Sequence, residues 1–228
     1  MKLKLLSEWD YLGMKMPPML TIPTCVAVDR FFRSTEKREG PVVFGYVGSL
    51  GRGYLAKELF TFFTIAGKHF PGSKLLIITK TDHAWLAEFA SSKGVDLSRV
   101  EIKEVHHDQV PQEVWRMDVG LSFIEPHYSK TASCPTKLGE YLAAGVPIVA
   151  NRGVGDVDAL IEENRIGIVL DEFSLENIEQ SLQNLKLVVR SQEVADRCVA
   201  TAKKHFSLDI GIQRYHATYK EILNKVII

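Results

Sequence analysis

The sequence predicts an α/β fold in which a parallel sheet is covered by helices on both faces. Three observations carry that prediction. Short apolar runs alternate along the chain with longer segments whose apolar residues recur at helical spacing. The 228 residues, 46% of them hydrophobic, suffice for one sizeable core but leave little room for two full domains of this class. The segment 133–150 reads as a loop, a short helix and a buried strand in immediate succession.

The elements follow in order. Residues 1–40 stand apart as an arm or linker, because 14–23 holds three prolines without a clean period and 33–40 is charged. The domain is expected over 41–228. Its first strand spans 42–47 and ends in Gly48. A helix over 54–70 presents Leu55, Leu59, Phe62, Phe63 and Ala66 as one stripe. A strand at 75–79, a helix at 82–93, a short strand at 100–103, a brief helix at 110–117 and a strand at 119–124 come next. After the segment 133–150 a helix is expected at 156–164, with Asp156 as its cap, and a strand at 167–170. Ser174 then caps a helix carrying Leu175, Ile178, Leu182 and Leu185 on one face. The chain ends helically, with Ile212, Tyr215, Tyr219, Ile222 and Val226 as its apolar stripe.

Composition narrows the classes of function. Lys+Arg and Asp+Glu number 28 each, so no global field favours nucleic acid or an anionic membrane. Cys25, Cys134 and Cys198 are odd in number and widely spaced, which fits a reducing cytoplasmic setting better than a disulfide scaffold. No stretch approaches the roughly 18 to 20 apolar residues of a membrane span, and Glu8, Trp9 and Asp10 interrupt the start where a leader would be apolar.

The segment Ser133-Cys134-Pro135-Thr136-Lys137-Leu138-Gly139-Glu140-Tyr141 carries the strongest chemical signal. Pro135 favours a helix start, Leu138, Tyr141 and Leu142 give an apolar face, Gly145 suits a left-handed cap and Pro147 forbids continuation, so the helix spans 136–144. Its first turn offers unpaired amides, the Thr136 hydroxyl and the Lys137 cation, a set suited to phosphate, and Glu140 can accept hydrogen bonds from sugar hydroxyls. Cys134 in the same loop reads as a packed small residue more readily than as a nucleophile. Gly48-Ser49-Leu50-Gly51-Arg52-Gly53, after the first strand, does not have the dinucleotide-fingerprint spacing. Arg52 is there either a donor fork for phosphate or an exposed arginine of a tight turn. His106, His107 and Asp108 are adjacent and read as a solvated loop rather than a metal site.

The run Lys137 to Ala150, with Glu-Tyr-Leu-Ala-Ala-Gly-Val-Pro-Ile-Val-Ala, resembles the donor-binding segment of the group 1 (family four) glycosyltransferases. Ile22-Pro23-Thr24 with Val28 to Phe31 resembles the linker entering their C-terminal domain, 44–50 its first strand and glycine turn, and Phe206-Ser207 its closing helix. The resemblance implies a Rossmann-like single GT-B C-terminal domain, the half that binds the nucleotide sugar. It implies ribose binding by Glu140, diphosphate binding by Thr136 and Lys137 with the Ser133, Cys134 and Pro135 backbone, and Arg52 as an auxiliary cation. It places Gly48 and Ser49 in the donor turn, and the backbone of Val105 and His106 at the nucleotide base. Ala132 stands where the family often carries a second Glu. The resemblance further implies a retaining transfer without cofactor or metal. It also implies a missing N-terminal GT-B domain that holds the acceptor and any membrane attachment. The alternatives are a nucleotide-sugar-binding module without transferase activity and a sugar-nucleotide epimerase.

Overall fold

A computed structural model describes residues 13, 20–31, 39–51 and 53–226. Among them six parallel strands form one sheet in the order β3-β2-β1-β4-β5-β6. These are β1 (Val43–Val47), β2 (Lys74–Ile78), β3 (Val100–Lys103), β4 (Val119–Ser122), β5 (Ile148–Asn151) and β6 (Gly167–Leu170). The helices are α1 (Ala56–His69), α2 (His83–Ser92), α3 (Val110–Val114), α4 (Thr136–Ala143), α5 (Val157–Asn164), α6 (Leu175–Leu185), α7 (Gln192–His205) and α8 (Leu208–Val226).

Strand pleating sends alternate residues to two separate apolar layers. Phe44, Tyr46, Leu75, Ile77, Val119 and Leu121 pack with Leu59, Phe62 and Phe63 of α1, Leu86 of α2 and Ile178, Leu182 and Leu185 of α6. Leu76, Ile78, Ile148 and Ala150 face the other way, onto Val114 of α3, Leu138, Tyr141 and Leu142 of α4, Ile161 of α5 and Val194 and Cys198 of α7. This two-sided burial explains why the strands read as continuous apolar runs. Edge-to-face pairs within the first layer, Phe44 with Phe62 and Phe62 with Phe123, add about 0.5 to 1.5 kcal/mol each beyond area burial.

The register locates an opening in the sheet. β1 follows β2 along its whole length, from Val43↔Lys74 to Val47↔Ile78. It pairs with β4 only at Phe44↔Val119 and Gly45↔Gly120. Beyond Gly45 and Gly120 the two strands diverge, and this is also where the strand order reverses direction. Ligands of doubly wound sheets bind in such a crevice, outside the carboxyl ends of the strands.

Several boundaries differ from the sequence expectations for identifiable reasons. Tyr54 does not start α1. It bridges Ile124 in antiparallel fashion, while Glu125 N–H donates to Gly53 O, so the glycine turn is laced to the exit of β4. The helix at 110 stops at Val114 rather than Met117, because the Trp115 indole donates to Phe31 O at 2.9 Å and Arg116 turns outward to Glu101 and Glu113. Asp156 occupies the start of α5 without a side-chain cap bond. Ser174 caps α6 by accepting from Asn177 N–H, yet Leu175, in the first turn ahead of the packed face, is exposed. The stripe Ile212, Tyr215, Tyr219 and Ile222 does form on α8, and each residue is more than half exposed, so the described residues leave that face uncovered. Helix α7 was not expected. Ser191 caps it by accepting from Val194 N–H, and Val194, Cys198, Thr201 and Ala202 bury its inner face.

Parts of the expected arm, 1–12, 14–19 and 32–38, lie outside the described residues. The segment 20–31 runs along the α4 side of the sheet. Val26 bridges Ser207, and a short 3₁₀ turn, Val28–Phe31, buries Phe31.

Candidate functional site

The crevice between the ends of β1 and β4 is built from four segments. The first is the turn after β1. Gly48 holds φ +115, a conformation that disfavours side chains, and its N–H donates to Ile78 O at 2.9 Å, which locks the turn onto β2. Ser49 is exposed, and its carbonyl accepts from the Tyr46 hydroxyl at 2.7 Å. Arg52 lies outside the described residues.

The second segment is α4 and the loop before it. Pro135 stands at the helix start, and Gly145 takes the left-handed conformation that ends it. The loop is fixed from outside. The Thr24 hydroxyl donates to Cys134 O at 2.7 Å, and Ser133 N–H and Gly155 N–H both donate to Lys130 O. Gly155, at φ +55, sits so close that a Cβ there would lie 2.0 Å from Ser133 O. The turn after β5 therefore acts as a backing plate for the loop. Cys134 is half-buried against the core, and burial pushes its thiol above the usual range, in keeping with packing rather than nucleophilic chemistry.

Thr136 is exposed at the start of α4, where Leu138 N–H donates to Pro135 O and the amides of Thr136 and Lys137 are left without an intrahelical partner. Lys137 differs from an ordinary helix lysine. Only 7% exposed, it sends its side chain across the top of β1, and its Nζ has no hydrogen-bond partner among the described residues. Nζ lies 3.8 Å from the centroid of the Tyr46 ring and 5.0 Å from that of Tyr54. A Cβ on Gly48 would stand 3.6 Å from it, at ordinary contact distance, so the ammonium packs directly against the turn. Burial pushes the Lys137 ammonium down to about 7, with Glu140 opposing the shift. Glu140 is also buried. Burial pushes its carboxyl up, while His107 and Lys137 pull it down.

Tyr141 ties the two walls together. Its hydroxyl accepts from Val47 N–H at 2.8 Å and lies 3.4 Å from Leu121 O, filling the gap where β1 and β4 have parted. Burial pushes its phenol well above the ordinary value. Asn151 does similar work one strand over. It accepts from Ile124 N–H and donates to Ile124 O and Arg152 O, holding the exit of β4 against β5.

The third segment is the loop after β3. Val105 packs partly buried against the α4 layer. Both main-chain groups of His106 are used within its own turn, its N–H by Gln109 Oε1 and its O by Gln109 N–H. The His106 ring faces Asp108, which also pairs with Arg30. His107, rather than His106, is the residue electrostatically coupled to Glu140. The fourth segment is the short 3₁₀ turn Tyr128–Ala132, which leads into the donor-like loop and leaves Ala132 exposed.

Gly48, Ser133 to Lys137 and Glu140 thus converge on one crevice, while Arg52 cannot be placed. Tyr46 and Tyr54 were not singled out from sequence, and His107 was read only as part of a solvated loop. A period-2 strand residue and a turn tyrosine carry no local mark of a role above a lysine some 80 to 90 positions away.

Comparison with known proteins agrees with this geometry. Residues 105–204 match the family described as glucosyltransferase 3-like, C-terminal domain. The expected resemblance to donor-side domains of group 1 glycosyltransferases is borne out. The solved C-terminal domain of a group 1 glycosyl transferase family protein from Francisella tularensis superposes with a TM-score of 0.60 at 13% identity, covering 80% of this chain and 99% of that one. Sucrose-phosphate synthase from Thermosynechococcus elongatus gives 0.73 at 13% identity, over 96% of this chain and 56% of that one. The pneumococcal O-GlcNAc transferase solved with UDP and GlcNAc gives 0.71 at 16% identity, over 97% and 44%. At these identities the likeness is one of fold, and the chain spans about half the length of the latter two proteins. Comparison with curated protein sequences yields no match. Among the described residues no helix is long and apolar enough to cross a membrane.

Proposed function

We propose that this chain is the nucleotide-sugar-binding half of a retaining glycosyltransferase. The observation that carries the reading is the buried, unpaired Nζ of Lys137 at the start of α4, beside the bare backbone of Gly48. A helix start with free amides and an ammonium that no described residue hydrogen-bonds form an anion site, and it lies in the crevice where a doubly wound sheet holds its ligand. Glu140, one turn further in and without a hydrogen bond among the described residues, is the acceptor for the ribose hydroxyls. Breaking the bond between sugar and diphosphate places negative charge on the leaving group, and Lys137 with the α4 amides is preorganised to receive it.

The acceptor and its positioning are assigned to a second domain facing this crevice, since the longer proteins that share the fold extend well beyond the matched part. The three free thiols support a reducing, cytoplasmic setting for the reaction. Ala132, with no carboxylate beside the expected sugar position, favours one second reading, a donor-binding module that does not transfer.

Calorimetry of the purified chain with UDP, GDP, ADP and their glucose conjugates tests the proposal. Binding of at least one nucleoside diphosphate is expected, with no sustained acceptor-dependent turnover by the chain alone, because losing acceptor positioning removes up to about 7 to 11 kcal/mol of barrier lowering. Absence of binding across the panel overturns the reading. Binding without transfer after a second domain is supplied selects the module.

A further inference from the structure

Lys137 raises a physical question that the donor-site reading leaves open. A lysine this deeply buried is ordinarily held by a carboxylate or by carbonyl oxygens, because an ammonium removed from water without partners is costly. Among the described residues Nζ hydrogen-bonds to neither, Glu140 acting on it only electrostatically, and what lies against it is aromatic. Tyr46 is wholly buried in β1, with its ring centroid 3.8 Å away and its hydroxyl donated to Ser49 O. Tyr54 lies 5.0 Å away, held in place by its N–H bond to Gly51 O and its bridge to Ile124. Gly48 closes a third side without a side chain.

We propose that Tyr46 and Tyr54 are positioning residues of the site, their ring faces caging the Lys137 ammonium at the crevice so that its N–H donors stay free for an incoming diphosphate. The proposal rests on the donor-site reading above. Its logic lies in the difference between an aromatic face and a carboxylate. A ring attracts a cation through its quadrupole and offsets part of the desolvation cost, but it takes up no hydrogen-bond donor and leaves no ion pair to break. A carboxylate in the same place would satisfy the ammonium and compete with the substrate. The same tyrosine also fixes the turn, since the Tyr46 hydroxyl holds Ser49 while its ring holds Lys137. Turn and cation are thus set relative to each other by one side chain.

A consequence for protonation follows. The groups facing Nζ are the phenols of Tyr46 on β1 and Tyr54 on the turn, and Glu140 on its own helix, with His107 of the loop after β3 facing Glu140 in turn. Burial raises the Tyr46 phenol, which stays neutral throughout the neutral range. Burial lowers the Lys137 ammonium to about 7, so in the empty site at mildly alkaline pH it is largely deprotonated. A bound diphosphate favours the charged form and raises the pKa. Binding above neutrality therefore takes up a proton, and affinity falls as pH rises from about 7 towards the liganded pKa.

NMR of the full chain labelled with ¹³C-lysine reads the cage directly, the Lys137 Cε–Hε signal being assigned by its loss in Lys137→Met. In the empty protein the Hε resonances should be displaced upfield by the rings and should titrate near 7. Tyr54→Leu should return them towards ordinary lysine positions, while Tyr54→Phe, which keeps the ring, should leave them displaced. Because Tyr46 is a core residue, the half-buried Tyr54 pair keeps the test readable if Tyr46→Leu fails to fold. UDP, and pyrophosphate as a probe lacking base and ribose, should move the titration midpoint up by about one unit or more. Calorimetry in two buffers of different ionisation enthalpy should show net proton uptake at pH 8. UDP affinity should drop about 10-fold in Tyr54→Leu and stay within about 2-fold in Tyr54→Phe. UDP binding combined with undisplaced Lys137 resonances, or with a Tyr54→Leu variant that matches the wild type in both readouts, overturns the cage while leaving the donor site standing. Displaced resonances with no binding of UDP or pyrophosphate overturn the donor reading, and with it the role assigned to the two tyrosines.

Discussion

Replacing Lys137 by methionine tests the electrostatics of the crevice without any ligand. The substitution keeps most of the aliphatic stem and removes an ammonium that is only 7% exposed and has no hydrogen-bond partner among the described residues. In the folded chain its pKa falls to about 7 from the ordinary 10.5, the cause being burial, so folding is opposed wherever the unfolded chain binds a proton that the folded chain binds less well. Below the folded pKa the full penalty applies. At about 1.36 kcal/mol per unit, a drop of this size is worth on the order of 4 to 5 kcal/mol, which sets an upper limit on what the methionine variant gains. Between pH 7 and about 10 the unfolded state holds more protons than the folded state, so the Lys137 contribution to stability becomes less unfavourable as pH rises. The advantage of Lys137→Met should shrink by about 1.4 kcal/mol per pH unit over that window. Urea denaturation of both proteins at pH 6, 7, 8 and 9 measures this. Taking the difference between them cancels the opposing alkaline effects of the buried thiol of Cys198 and the phenols of Tyr46 and Tyr141, which are common to both. Two stability curves that run parallel from pH 7 to 9 would refute the reasoning, because Lys137 would then carry an ordinary ammonium in the folded state.

Three further substitutions probe the site and its frame. Glu140→Gln should weaken nucleotide binding by about 1.5 to 3 kcal/mol in calorimetry, the range for hydrogen bonds to a charged acceptor, without lowering the urea midpoint, since the carboxylate is buried without a hydrogen bond among the described residues. Gly155→Ala places a methyl group against Ser133 O at 2.0 Å and in a left-handed conformation, so it should displace the donor loop, and both nucleotide affinity and thermal midpoint should fall. Asn151→Ala strands the buried N–H and O of Ile124 and should destabilise the fold by about 1 to 3 kcal/mol for each group left unpaired, read as a lower urea midpoint at unchanged m-value.

The order of strands and helices, and the limits of α4, were legible in the sequence because they rest on local constraints. Pro135, Gly145 and Pro147 restrict φ at their own positions, and apolar spacing of 2 or 3.6 records which residues face a core, whatever that core turns out to be. β3 and β6 coincide with the expected spans 100–103 and 167–170, and Thr136, Lys137 and Glu140 stand on one short helix as the pattern implied. The start of α1 was misread because Leu55 fits the helical period while long-range bonds from Leu55 N–H to Phe123 O and from Glu125 N–H to Gly53 O keep this part of the chain extended. Helix α7 escaped notice although Ser191, Val194 and Cys198 give a cap and a spacing that a closer reading could have used. What only the tertiary structure decided is the environment of each side chain. That Lys137 turns back over Tyr46 and Tyr54 and that Tyr141 bridges Val47 and Leu121 both depend on β1 lying beside β4 and parting from it after Gly45, and the outward face of the α8 stripe is likewise invisible in the sequence pattern. A one-dimensional pattern states that a residue is apolar or charged, but whether a lysine meets water, a carboxylate or an aromatic ring is set by which distant strand the fold brings alongside it.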